Sequence, residues 1–75
     1  MNLVFPNPIL LYSCVEASLA REIAAGRWIA GECLPGENGL IAHFRVSRST
    51  VRRATQNLER RGLVQVIPGR GTFVT

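Results

Sequence analysis

The fold is decided by residues 44–57, which read FRVSRSTVRRATQN. Ser47 is predicted to be the N-cap of a helix, because its hydroxyl oxygen can accept a hydrogen bond from a free backbone N–H of the first turn. The helix should then extend over about residues 48–61, since Gly62 is typical of the position that follows a helix end. This helix is the element against which the rest of the chain must pack.

The two faces of the predicted helix differ in chemistry. Val51, Ala54 and Leu58 share one face at helical spacing, which indicates packing against a core. The other face carries cationic and hydrogen-bonding side chains, namely Arg48, Ser49, Arg52 and Gln56. Such a face fits the major groove of DNA, because an arginine fork can pair with guanine N7 and O6. A solvated surface face is the alternative.

The composition indicates one small domain with an anionic partner. The chain has 75 residues and an apolar share of 47%, which is ordinary for a folded domain. Its nine basic residues are all arginine and outnumber five acids, so the net charge is +4. Most of these arginines lie between Arg45 and Arg70. Because phosphate contacts dominate nucleic-acid affinity, the uneven excess favours a nucleic acid as partner.

Several other classes of protein lack support in the sequence. His43 is the single histidine, and paired carboxylates and phosphate-binding glycine loops are absent, so no enzyme, metal site or cofactor is predicted. Cys14 and Cys33 lack metal-ligand spacing and favour a reduced, cytoplasmic protein, with Cys14 buried in a helical apolar pattern. No stretch approaches the roughly 20 apolar residues that a membrane span needs.

The N-terminal third is predicted to be an arm followed by a helix. Residues 1–8 are expected to be flexible, because two prolines remove backbone donors there. A helix is predicted over about residues 9–25 from the spacing of its apolar side chains, Tyr12, Val15, Leu19 and Ile23. Gly26 should end this helix.

A connection and a short second helix are predicted next. Trp28 and Ile29 should pack back on the first helix, although Trp28 could instead stack on a base. Residues 33–34 allow only a very short first strand. A short helix is expected to begin in residues 35–38 and to run through about Phe44, with Glu37 complementing its dipole and its apolar residues facing inward. A tight turn at residues 45–46 completes a helix-turn-helix.

The chain ends in a predicted β-hairpin. The apolar period changes from helical to alternating after Gly62, which indicates strands at residues 63–67 and 72–74. Residues 68–71, PGRG, are predicted to form the turn. Arg70 on a glycine-flanked backbone suits a minor groove or a phosphate, whereas a solubilising turn residue is the alternative. The predicted fold class is α+β: a winged helix-turn-helix of three helices followed by a two-stranded β-hairpin wing.

Four motifs occur in a recognisable order and spacing: LPGEN at residues 34–38, FRVSRSTVR at residues 44–52, GLV at residues 62–64 and GRGTFV at residues 69–74. They resemble the winged-helix DNA-binding domain of the GntR family of bacterial transcription regulators. The resemblance covers roughly residues 9–75. The wing and the start of the second helix look most similar to the HutC-type subgroup.

The resemblance implies a sequence-specific, double-stranded DNA-binding transcription regulator, a repressor that binds a palindromic operator as a dimer. The recognition helix would lie in the major groove and the wing tip, residues 68–71, at the minor groove. Arg48 and Arg52 would read bases, whereas other contacts would hold phosphates. The candidate DNA contacts are Asn38, Arg45, Ser47, Arg48, Ser49, Thr50, Arg52, Arg53, Gly69, Arg70 and Gly71.

The sequence departs from the family pattern at several positions. Gly36 stands where serine is usual, Asn38 where arginine is frequent, and Arg45 where glycine is common. Family members continue into a C-terminal domain that binds a small-molecule effector and supplies most of the dimer interface. That domain is absent from these residues, so the chain is expected to be a fragment or a truncated regulator, and this segment should bind no effector.

A winged helix that docks another protein is the alternative function, with the apolar residues 3–11 as the partner surface. The arginine face of the recognition helix favours DNA over this alternative, because a docking domain does not need such a face.

Overall fold

Three helices and a β-hairpin follow one another along residues 8–75, the part of the chain that the computed structural model describes. The elements are α1 at Pro8–Ala24, α2 at Glu37–Phe44, α3 at Arg48–Arg60, β1 at Val64–Ile67 and β2 at Gly71–Val74. The predicted α+β winged helix-turn-helix is confirmed. The predicted N-terminal arm lies outside the described residues, except that Pro8 already belongs to α1.

Helix α3 lies at the centre of the core. Val51, Ala54 and Leu58 have no solvent-exposed surface, as their shared face predicts. The buried residues around them come from the other elements and from the connection before α2: Val15, Leu19, Leu34, Leu40, Val64 and Val74. Because this packing fixes one side of α3, the opposite side must face solvent. Within residues 8–75, no helix is long and apolar enough to cross a membrane.

The turn between α2 and α3 is tight because Arg45 adopts the left-handed conformation. Its φ and ψ angles are 55° and 49°, and its backbone N–H donates to Ile41 O at 2.8 Å. Ser47 caps α3 as predicted, accepting a hydrogen bond from Thr50 N at 3.2 Å. Gly36, at the start of α2, forms no side-chain cap. A side chain therefore caps the N-terminus of α3 but not that of α2.

A third extended segment joins the base of the hairpin. Cys33 forms an isolated antiparallel bridge with Phe73, and Leu34 N donates to Thr72 O at 2.8 Å. These bonds confirm the very short first strand. Strand β1 begins after Leu63 rather than at it, because Leu63 N donates to the carbonyl of Leu58 at 3.0 Å and completes the end of α3.

Two packing predictions in the N-terminal half are wrong. Cys14 is exposed, because it lies one residue, or about 100° of helical rotation, from the buried line through Val15 and Leu19. Ile29 is 66% exposed and does not pack on α1. Its backbone N–H donates to Glu32 Oε1 at 2.7 Å, which fixes a local turn in the connection.

Trp28 follows the prediction more closely. Its indole is half-buried against the core, and the Arg27 guanidinium lies 5.0 Å from the ring centre. The ring thus acts as a packing residue with one face covered by a cation.

Candidate nucleic-acid interface

One side of α3 is exposed along its length and brings several predicted contacts together. Arg48, Ser49, Arg52 and Arg53 are all exposed, and Gln56 continues the surface one turn further. Residues three or four apart share a helix face, so the arginines form a cationic stripe rather than a scattered set. We call these five residues the α3 face.

Two arginines of the α3 face share one carboxylate of α2. Arg52 donates to Glu37 through Nε at 2.7 Å and through Nη2 at 3.3 Å. Arg48 donates to Glu37 through Nη1 at 2.7 Å and to Asn38 Oδ1 through Nη2 at 2.7 Å. We call these four residues the Glu37 cluster. It joins the N-terminal ends of both helices of the helix-turn-helix.

The Glu37 cluster keeps its carboxylate ionised. The hydrogen bond from Arg52 is the main cause that lowers the pKa of Glu37 below its ordinary value, and the bond from Arg48 comes second. The same contact raises the pKa of Arg52. The carboxylate therefore offsets part of the positive charge at the start of α3 while leaving other guanidinium N–H groups unused.

Arg45 and Arg53 are exposed cations beside the Glu37 cluster. Arg45 lies in the turn, and Arg53 places its guanidinium 5.1 Å from the ring centre of Tyr12 on α1. Neither forms an ion pair with any carboxylate in residues 8–75. Their charge is available to an anionic ligand.

Ser47 and Thr50 interact at the N-terminal end of α3, Ser47 as the N-cap and Thr50 in the first turn of the helix. Thr50 is only 8% exposed, and its Oγ1 lies 3.0 Å from Ser47 Oγ. Thr50 therefore lies on the buried side of the first turn of α3, apart from the exposed α3 face. Ser47 is exposed and lies beside Ser49, with their hydroxyl oxygens 3.1 Å apart.

The wing presents Arg70 at its tip. Residues 68–70 form the loop, in which Arg70 is exposed and Gly69 has a φ of 75°. Gly71 has a φ of 134°, and a Cβ there would lie 2.9 Å from Cys33 Sγ. Glycine is therefore required where the wing passes the segment that contains Cys33.

A groove of about 690 Å³ separates α3 from the wing. Arg52 and Gln56 line it from the helix, and Arg70 lines it from the wing. Glu59 also lines the groove, and its carboxylate accepts a hydrogen bond from Val66 N at 2.9 Å. The groove thus has an arginine on each wall, and two carboxylates, Glu37 and Glu59, also line it.

The contacts of Glu37 with Arg48 and Arg52 were not predicted from the sequence, in which Glu37 was expected only to complement the positive end of the α2 dipole. Gln56 was not among the candidate contacts. A usable signal existed: two arginines four residues apart on one helix, preceded by an acid at the start of the neighbouring helix, can converge on that acid. What the sequence did not give was the angle between the two helices.

A helix-turn-helix with an exposed arginine face, followed by a wing with an arginine at its tip, defines the winged-helix class of DNA-binding domains. The family described as bacterial regulatory proteins, gntR family, matches residues 11–74. The chain therefore belongs to the GntR family and is a DNA-binding domain of that family.

The chain is similar to the HTH-type transcriptional regulator TreR of Bacillus subtilis (strain 168), with 45% identity over 60 residues that cover 80% of this chain and 25% of TreR. It is 42% identical over 65 residues to the probable fructoselysine utilization operon transcriptional repressor of Escherichia coli (strain K12), covering 87% of this chain and 27% of the repressor. It thus spans about a quarter of the length of these relatives.

A solved structure, AraR(DBD) in complex with operator ORE1, has a TM-score of 0.86 and 33% identity. The match covers 96% of this chain and 83% of that chain.

Proposed function

We propose that this domain reads a specific double-stranded DNA sequence and forms part of a bacterial transcription repressor. The observation that carries the proposal is the α3 face, on which Arg48 and Arg52 lie exposed at the start of a helix whose other side is fully buried. A helix presented in this way can enter the major groove with its N-terminal residues against base edges. The similar AraR(DBD) was solved in complex with operator DNA, which supports DNA as the ligand of this domain.

The interface divides into residues that read bases and residues that position the domain. Arg48 and Arg52 carry planar forks that match the paired acceptors of guanine, so they read sequence. Arg45, Arg53 and Arg70 are exposed and hold phosphates, which adds affinity without sequence information. Arg70 extends from the wing tip to the minor groove, while a phosphate strand follows the groove between α3 and the wing.

Repression would follow from occupancy of promoter DNA. A palindromic operator bound by two copies is the expected target, because two-fold symmetric sites match two-fold symmetric proteins. We assign the main dimer contact and the small-molecule effector site to a C-terminal domain outside these residues, since the curated relatives are about four times as long as the matched segment. A cytoplasmic location accords with this role.

The proposal is tested by selecting duplexes from a random pool with the full chain and measuring fluorescence anisotropy over a range of salt concentrations. We expect a preferred sequence whose affinity falls steeply with salt, because phosphate contacts release counterions. Equal affinity for selected and random duplexes would contradict sequence reading. No binding even at low salt would contradict DNA binding and favour a protein-docking role.

A further inference from the structure

We propose that Glu37 is a specificity-determining positioning residue: it holds the Nε and Nη2 edge of Arg52 so that the adjacent Nη1 and Nη2 edge faces the base that Arg52 reads. The inference rests on the DNA-reading function proposed above and adds a residue of α2 to it. Glu37 itself need not touch DNA. Its carboxylate determines which guanidinium N–H groups remain available.

The geometry at Arg52 defines the free edge. A guanidinium is planar and has N–H donors along more than one edge. Arg52 gives its Nε and Nη2 edge to the two carboxylate oxygens of Glu37, at 2.7 Å and 3.3 Å. The Nη1 and Nη2 edge remains, with two donors side by side. This is the spacing that pairs with N7 and O6 of guanine, so a guanine opposite Arg52 is the expected base.

Arg48 is held differently by the same cluster. Its two terminal nitrogens bind different residues of α2, Glu37 and Asn38, each at 2.7 Å. In the protein without DNA, Arg48 therefore ties α2 to α3 through Glu37, the residue that also holds Arg52. A base contact by Arg48 uses its N–H groups outside these two bonds. The two arginines are not equivalent in the protein without DNA.

The charge of Glu37 and the ordering of the arginine side chains should both increase discrimination between DNA sequences. The side chains of Arg48 and Arg52 are 49% and 59% exposed, so without a partner they would be free to pair with any phosphate. Ordering a long side chain before binding reduces the entropy lost in the complex. A carboxylate among these arginines also weakens sequence-independent attraction to phosphate. Glu37 should therefore lower the affinity for non-specific DNA and raise the ratio between the affinities for selected and scrambled duplexes.

The first test uses the protein without DNA. In ¹H–¹⁵N spectra of the arginine side chains, the Nε–H of Arg52 should exchange slowly with water, because it is bound to Glu37. Glu37→Gln should speed this exchange, since the charged acceptor is lost. Glu22→Gln is the matched control: it removes the same charge from α1, where Glu22 pairs with Arg27, and should leave Arg52 unchanged. Equal exchange in the wild type and Glu37→Gln would overturn the proposal.

The second test measures discrimination between the selected duplex and a scrambled one, by anisotropy at several salt concentrations. Glu37→Gln should lower the affinity ratio about tenfold, within the range expected for one bidentate base contact. Its affinity for scrambled DNA should stay equal or rise, with a steeper salt dependence. Glu22→Gln should keep the wild-type ratio. A wild-type ratio in Glu37→Gln would refute the proposal.

A double-mutant cycle guards against loss of folding as the explanation. Arg52→Lys keeps the charge but removes the planar fork, so adding Glu37→Gln to it should not reduce the ratio further. Independent, additive losses would contradict the proposal. If the wild-type protein prefers no duplex, the proposed function fails and this inference fails with it; if the wild type selects but Glu37→Gln selects equally well, only the inference fails.

Discussion

At the scale of single residues, Arg45 holds a side chain in a backbone conformation that favours glycine. It is the one non-glycine residue with positive φ in residues 8–75. The left-handed conformation costs an ordinary residue about 1 kcal/mol or more. Arginine at this position of the turn places an exposed cation beside the α3 face, despite the unfavourable backbone conformation.

This cost can be measured by replacing Arg45. Arg45→Gly should raise the free energy of unfolding by about 1 kcal/mol, because glycine adopts positive φ without a Cβ clash. Urea denaturation followed by circular dichroism measures the change. Arg45→Ala is the control, since it removes the same charge but keeps the Cβ. If both variants have the same stability, the strain assigned to Arg45 does not exist.

The ionisation of Glu37 makes its contacts with Arg52 and Arg48 depend on pH. Because its folded-state pKa is lowered, its pairing with Arg52 and Arg48 stabilises the fold above the ordinary carboxyl pKa. This contribution is lost as the pH falls through the lowered value. An NMR titration of the Glu37 carboxyl carbon should show the midpoint rising in Arg52→Gln towards the ordinary value. An unmoved midpoint would show that Arg52 is not the main cause.

At the scale of elements, the two serine hydroxyls at the start of α3 differ in their hydrogen-bond partners. Ser47 accepts a hydrogen bond from Thr50 N, whereas the hydroxyl of Ser49 bonds only to Ser47 among residues 8–75. Ser47→Ala should therefore lower the free energy of unfolding by about 1 kcal/mol. Ser49→Ala should change it by less than about 0.5 kcal/mol but weaken DNA binding. Thermal unfolding and anisotropy of both variants check this. Equal stability losses would contradict the assignment.

The helices and strands were largely predictable because the residues that determine each of them are close together in the sequence. The spacing of Val51, Ala54 and Leu58 fixed the buried face of α3, and the PGRG turn fixed the hairpin. Cys14 was misassigned because an apolar residue beside a buried line looks the same in sequence as one within it. The Glu37 cluster was missed for a different reason: it depends on how α2 and α3 cross, which no local pattern determines.

At the scale of the whole molecule, the helix and the wing act as two sides of one groove. Arg52 and Arg70 are far apart in sequence, yet both line it. The buried core between α3 and β1 holds them in place, with Leu58 fully buried and Val64 only 1% exposed. The predicted arrangement of wing and helix could be inferred from the fold class, but the groove's volume and its acidic residues, Glu37 and Glu59, could not.

The wing's share of binding is tested with Arg70→Ala. Because Arg70 is exposed at the tip of the wing, its loss should weaken binding to all duplexes and lower the salt-dependence slope by about 1. Gln65→Ala, on the exposed part of β1, is the control and should bind like the wild type. Titrations by anisotropy at several salt concentrations give both slopes. A wild-type slope in Arg70→Ala would show that the wing tip does not reach a phosphate.

Sequence reading by the α3 face is decided by comparing Arg48→Ala with Arg53→Ala on the selected duplex and on random DNA. Arg48→Ala should lose about 1–3 kcal/mol on the selected duplex and much less on random DNA, because it removes a base contact. Arg53→Ala should weaken both duplexes alike, since it removes a phosphate contact. Equal losses of affinity on both duplexes for Arg48→Ala would show that Arg48 does not read a base.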